Sequence, residues 1–103
     1  MNERDLTAAV IDLARLRGWR VAHFHDSRRD IGGGTLVGDR DAAGFPDLVM
    51  VRDGRVVFAE LKSETGRLSA GQQGWLDDLG AAGECHVWRP ADWRSGLIET
   101  ALS

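Results

Sequence analysis

The chain has 103 residues, 43% of them apolar and 28% charged, with a formal net charge of −3. That composition fits one globular domain over residues 1–103 with a small core rather than a disordered segment, and its sign excludes a generic polycation that coats nucleic acid. No apolar run approaches the ~20 residues of a membrane span, the opening Met-Asn-Glu-Arg-Asp does not read as a signal peptide, and the lone Cys85 allows neither an internal disulfide nor a Cys/His zinc spacing; a cytoplasmic protein without membrane contact is expected.

Residues 3–17 are expected to form a first helix, with Asn2 as N-cap, Asp5 at the third helical position and Gly18 as the stop. Leu6, Val10, Leu13 and Leu16 or Arg17 recur at helical spacing. Glu3 heads that stripe, and either points inward from the helix end or simply meets the helix dipole. Trp19 to His25 reads as a strand with Val21, His23 and His25 on one face. The two histidines read either as metal ligands or, more simply, as hydrogen-bonded structural groups. Residues 26–43, with three consecutive glycines and scattered acids, are expected to be a long loop. It lacks a nucleotide P-loop pattern. Arg28, Arg29 and Arg40 are candidate phosphate contacts, the competing reading being a solvated turn.

The stretch from Gly44 to Lys62 carries the chemistry. Two apolar runs flank Asp53-Gly54, a pair that favours a type I′ turn because both central residues need positive φ. With Asp53 and Gly54 at the turn, Arg52 pairs with Arg55, Val51 with Val56, Val49 with Phe58 and Asp47 with Glu60. Directly opposed residues share a face with Cβ atoms ~5 Å apart, and Lys62, two residues beyond Glu60, projects to that face as well. Val49, Val51, Val56 and Phe58 share it too, which places the charges at the edge of a buried surface. Two carboxylates so close repel, and in a partly desolvated setting one would take up a proton. Lys62 relieves part of the repulsion, and a hard divalent cation such as Mg²⁺ or Mn²⁺ would relieve the rest. A solvated salt bridge is the plainer alternative. Pro46, with no amide donor, suits the first residue of a strand just before Asp47.

A second helix is expected from about Ser69 to Ala82, opened by a Ser69/Gln72 capping box and ended by Gly83, with Trp75, Leu76, Leu79 and Ala82 as its apolar stripe. Glu84 to Arg89 reads as a fourth strand, set parallel to the Glu60 strand by the crossover, with Cys85 as a small buried apolar residue. Pro90 ends it. Ala91 to Arg94 reads as a turn, and Leu97 to Leu102 as a short helix or strand. Trp88 and Trp93 either close the core or serve a subunit contact. The expected class is α/β, a mixed four-stranded sheet flanked by helices in the order α-β-β-β-α-β.

Pro46-Asp47 followed by Glu60-Leu61-Lys62 resembles the PD-(D/E)XK nuclease signature. The flanking Gly44, then Gly66-Arg67-Leu68-Ser69, Gln72, Leu76 and Ala82-Gly83 before an apolar strand, resemble the VRR-NUC family within that superfamily, including its small stand-alone phage and bacterial members. The likeness runs from Glu3 to about Trp93, and the glycine-rich 26–43 loop is longer than the family pattern implies. The resemblance implies a restriction-endonuclease-like core and metal-dependent hydrolysis of DNA phosphodiester bonds. Asp47 and Glu60 would hold Mg²⁺ or Mn²⁺, with the Leu61 carbonyl completing the protein ligands. Lys62 would orient or deprotonate the attacking water and stabilise developing charge, its two carboxylate neighbours favouring the electrostatic role. Glu3 would act through water or a second ion, and Gln72 would contact the scissile phosphate. Arg67 joins Arg28, Arg29 and Arg40 as a nucleic-acid contact. Branched DNA such as a four-way junction is the implied substrate, and a homodimer is expected because two-fold symmetry would match a junction. The alternative is a catalytically inactive nuclease-like module that binds DNA or a protein.

Overall fold

The structure, a computed structural model, describes residues 1–24 and 40–103. Its elements are helix α1 (Glu3–Leu16), strand β1 (Arg20–His23), a 3-10 turn (Arg40–Ala42), strands β2 (Leu48–Arg52) and β3 (Arg55–Leu61), helix α2 (Ala70–Ala82), strand β4 (Glu84–Trp88), and short helices α3 (Pro90–Arg94) and α4 (Leu97–Ala101). The strands make one sheet in the order β1-β2-β3-β4, antiparallel across the first three and parallel between β3 and β4. The architecture is α/β, a mixed four-stranded sheet flanked by helices. Among the described residues no helix is long and apolar enough to cross a membrane.

Local chemistry explains where the elements start and turn. The Asp5 N–H donates to Asn2 Oδ1 at 2.7 Å, which caps α1, and Gly18, at φ +86°, takes the left-handed conformation that ends it. Asp53 and Gly54 have φ of 51° and 79°, as a type I′ turn requires. The register counted outward from that turn is the observed one: Arg52 faces Arg55, Val51 faces Val56 and Val49 faces Phe58.

The buried face of the hairpin is the opposite one from that expected. Leu48, Met50, Val57, Ala59 and Leu61 are fully buried against Leu6, Val10 and Ala14 of α1 and against Trp88, Ile98 and Leu102. On the other face Val51 and Val56 are 38% and 41% exposed, and Val49 and Phe58 are half-buried. Both faces of the strands are apolar, so period-two alternation alone does not choose between them; α1 and the C-terminal helices do. The second face is covered only in part, by α2 and by Phe45, whose ring meets Phe24, Phe58 and Trp75 edge-on at 5.5, 6.1 and 5.0 Å between centroids.

Other boundaries shift for similar reasons. Leu16 is 83% exposed, because the buried stripe of α1 steps by four through Leu6, Val10 and Ala14 and leaves Leu13 half-buried. Trp19 lies outside β1, anchored by its indole N–H to the Leu102 carbonyl at 3.0 Å, and His25 falls outside the described residues. Ala82 is exposed, and α2 has no fully buried residue, in keeping with its place over an open sheet face. Ala91 to Arg94 is helical rather than a turn, because Pro90 starts α3 at its first position and Asp92 Oδ2 accepts the Arg89 N–H at 2.8 Å. The final element is the helix α4, Trp88 is buried in the core, and Trp93 packs half-buried against it.

One junction brings α2 to the hairpin. A Cβ on Gly44 would lie 2.5 Å from both the Gly71 carbonyl carbon and the Gln72 nitrogen, and Gly44 has φ +87°. The backbone leading to Asp47 therefore rests directly on the first turn of α2. Gly54 also has positive φ but open space around it. Gly54→Ala should cost about 1–2 kcal/mol, the left-handed penalty alone, whereas Gly44→Ala should cost clearly more because backbone on both sides must move. Paired denaturant melts test this, and equal losses would show that the junction yields easily.

Candidate functional site

The hairpin register sets up the site. Asp47 lies one residue before β2 and Glu60 one residue before the end of β3, each next to the last pair of the ladder, Leu48 with Ala59. Asp47 is held on two sides: its carbonyl accepts the Phe24 N–H at 2.8 Å, extending the β1 pairing, and its Oδ2 accepts the Leu61 N–H at 3.0 Å. Glu60 is 3% exposed, the sole charged residue among the described buried side chains. Its Oε2 accepts from Gln72 Nε2 at 3.0 Å and lies 4.0 Å from Lys62 Nζ. The charge of Asp47 acts directly on Glu60, as expected for two acids on one side of the sheet.

Electrostatics follow from this packing. Burial, then the charge of Asp47, pushes Glu60 up from the ordinary 4.5 to about 8. Burial also raises Asp47, against the pull of the Leu61 N–H. At 4.0 Å an ammonium–carboxylate attraction is about 4 kcal/mol at an effective dielectric of ~20. Lys62 therefore draws Glu60 down, yet desolvation and like-charge repulsion together outweigh it. Near neutral pH the pair is best described as two carboxyl groups holding one proton between them.

Around the pair, the structure brings together most of the expected side chains. Glu3, in the first turn of α1, is close enough for its charge to raise both Asp47 and Glu60. His23 acts on Asp47 in the opposite sense, and Glu60 acts on half-buried Cys85. Gln72 has two duties. Its Oε1 accepts the Ser69 N–H at 2.8 Å while its backbone N–H donates to Ser69 Oγ at 3.1 Å, closing the capping box. Because Oε1 is committed to a donor, Nε2 must be the end that faces Glu60. One Nε2 hydrogen is thus spent on Glu60 and the other is the one available to a phosphate. Of Leu61, the N–H is the group seen in contact with an acid, and its side chain belongs to the core.

The arginines expected to contact nucleic acid are more scattered. Arg40 is exposed beside Asp41 in the 3-10 turn, Arg67 is exposed in the segment before α2, and Arg28 and Arg29 lie outside the described residues. Sequence reasoning missed the Gly44–Gly71 contact and the hold of Arg89 on the turn after Lys62; no local pattern marks either one. The resemblance placed Gln72 at the site, but its bond to Glu60 was not marked by any local pattern.

The donor set fits a hard cation of limited appetite. Among the described residues no group of three or more His, Cys, Asp or Glu side chains could hold a metal; Asp47 and Glu60 form a pair. Mg²⁺ is commonly bound by one or two carboxylates, with waters and substrate phosphate filling the remaining positions. Two carboxyl groups sharing a proton are a site where a cation can replace that proton.

No protein-family model matches the chain, and no match was found among curated proteins or solved structures. The functional reading therefore rests on these residues and their geometry.

The shared proton has a measurable consequence. The fold keeps the Glu60 proton up to about pH 8 while an ordinary carboxyl loses it near 4.5. Between those values the folded chain binds more protons than the unfolded one, so stability should fall as pH rises through the window and level off above it. Thermal melts without divalent ions should show this decline, and Glu60→Gln should remove most of it. A wild-type stability that climbs between pH 5 and about 7 would contradict a proton held by this pair.

Proposed function

We propose that this chain is a divalent-metal-dependent nuclease acting on DNA. The observation that carries the proposal is the buried Glu60 carboxyl set against Asp47, with Lys62 beside it. A protein that used these side chains only for stability would gain by replacing them with apolar ones, since buried like charges are unfavourable. Asp47 and Glu60 would hold Mg²⁺ or Mn²⁺, together with the Leu61 carbonyl. When bound, such an ion polarises a phosphoryl oxygen and lowers the pKa of its water.

The remaining work falls to the chain's own groups. Leu61 N–H and Gln72 Nε2 fix the orientation of the two carboxylates, so little reorganisation is needed when the substrate arrives. Lys62 supplies positive charge where the pentavalent phosphorus centre accumulates negative charge. Glu3 faces the pair from the end of α1 and would act through water or a second ion. The free Nε2 hydrogen of Gln72 would meet a phosphate oxygen. The core would then be of the restriction-endonuclease type, in line with the VRR-NUC resemblance of the motif. Branched DNA is the proposed substrate class, with two copies related by a two-fold axis presenting one site to each of two strands.

Labelled duplex, single-stranded, flapped and four-way-junction DNA incubated with Mg²⁺ or Mn²⁺ tests the activity. Cleavage should appear with either ion, vanish with chelator, and fall by about 100-fold or more in Lys62→Ala while DNA binding persists. Binding without cleavage under every ion would support an inactive module instead. Added Mg²⁺ or Mn²⁺ should also raise the melting temperature, most strongly near the top of the pH window, because the ion relieves the repulsion that the proton otherwise relieves. Glu60→Gln should blunt that rise. The dimer is tested separately by sedimentation: a monomer that nicks both strands of a junction symmetrically would remove it.

A further inference from the structure

We propose that Arg89 is a positioning residue for Lys62, holding the turn along which the lysine side chain lies. The inference rests on the nuclease reading for its catalytic meaning, but its structural basis is independent. Lys62 leaves β3 with its N–H donated to the Trp88 carbonyl at 3.0 Å. The residue that follows that neighbouring strand is Arg89. Its Nη1 lies 2.6 Å from the Ser63 carbonyl oxygen, 2.8 Å from that of Gly66 and 3.3 Å from that of Glu64. A single guanidinium nitrogen thus gathers three carbonyls from the segment that follows Lys62.

That segment is closed on itself and packed against the lysine. Ser63 Oγ accepts the Gly66 N–H at 2.9 Å. A Cβ on Gly66 would stand 2.9 Å from Ser63 Oγ and 3.5 Å from Lys62 Cδ, so the Gly66 backbone forms a wall beside the lysine stem. A second clasp comes from Glu64, whose Oε1 accepts the Ala91 N–H and whose Oε2 pairs with Arg94 Nη2 at 3.5 Å. Of the two clasps, only Arg89 reaches the carbonyls of both Ser63 and Gly66, the two residues tied by the Ser63 Oγ bond, with Gly66 beside the Lys62 stem. Gathered carbonyls need a donor with more than one hydrogen and a positive charge, which an arginine supplies and a neutral side chain does not. Without it, the wall loosens and the ammonium 4.0 Å from Glu60 loses its fixed approach.

The test compares wild type, Arg89→Met and the milder Arg89→Lys. Cleavage rates are taken at a temperature where circular dichroism shows all three folded. Arg89→Met should lower kcat by about 10- to 100-fold, the range seen when a partner that orients a site residue is removed, with KM little changed; Arg89→Lys should recover part of the loss. Amide hydrogen exchange should quicken at Gly66 in Arg89→Met while the β2–β3 hairpin keeps its protection. Unchanged kcat in a folded Arg89→Met, or unchanged exchange at Gly66, overturns the proposal. If wild type cleaves no DNA, the nuclease reading fails on its own, and the exchange measurement on Arg89→Met still decides whether the clamp exists.

Discussion

The burial of one carboxyl group, Glu60, is the constraint around which this small fold is arranged. A charged carboxylate taken out of water is unfavourable by several kcal/mol unless it is paired and hydrogen-bonded, and here a second acid, Asp47, adds its own charge to the problem. The surroundings of Glu60 answer that problem in parts. Gln72 brings an amide hydrogen, Lys62 brings charge at 4.0 Å, and the carboxyl itself keeps its proton further up the pH scale beside Asp47, which is tied to the Leu61 N–H. None of these suffices to restore ordinary ionisation, since Glu60 stays raised to about 8. A surface ion pair would relax into solvent; this cluster cannot, because Glu60 is closed off at 3% exposure.

Two backbone junctions keep the cluster rigid. On one side the chain approaching Asp47 rests on Gly71 through Gly44, which fixes that approach against the first turn of α2, where Gln72 lies. On the other, Arg89 gathers the carbonyls that follow Lys62. The hairpin lies between them, and its own far end is locked by Arg52 and Arg55, whose guanidiniums lie 4.5 and 5.2 Å from the Trp19 ring centroid. Such support matters for the proposed nuclease chemistry, because orientation is the main contribution a protein makes to phosphoryl transfer. The half-covered second face, with Phe45 wedged among Phe24, Phe58 and Trp75, gives the site a lowered dielectric without closing it.

Much of this was legible from local pattern. Asp53-Gly54 determined the turn, the turn determined the register through Leu48 and Ala59, and that register brought Asp47, Glu60 and Lys62 to one end of the hairpin. The Asn2 and Ser69 caps marked the starts of α1 and α2, the hairpin set β3 beside β2, and the crossover set β4 parallel to β3, while the place of β1 beside β2 was not marked locally. These are short-range effects, in which a few adjacent residues decide φ, ψ and hydrogen bonding among themselves. The Pro46-Asp47 and Glu60-Leu61-Lys62 pattern, being contiguous or nearly so, was visible for the same reason.

What the tertiary structure alone decided involves a choice between equal local options or a meeting of distant segments. Both faces of the hairpin are apolar, so only the docking of α1 and the C-terminal helices selected the Leu48, Met50 and Val57 face as the core. Leu16 was left outside because burial followed the contacts of Leu6, Val10 and Ala14, not the apolar count. The bond from Gln72 to Glu60, the Gly44–Gly71 contact and the grip of Arg89 on Ser63 and Gly66 join positions that share no periodicity. Pattern along the chain determined which groups meet at the end of the hairpin; packing across it determined how tightly they are held, because desolvation and close approach exist only once separate segments meet.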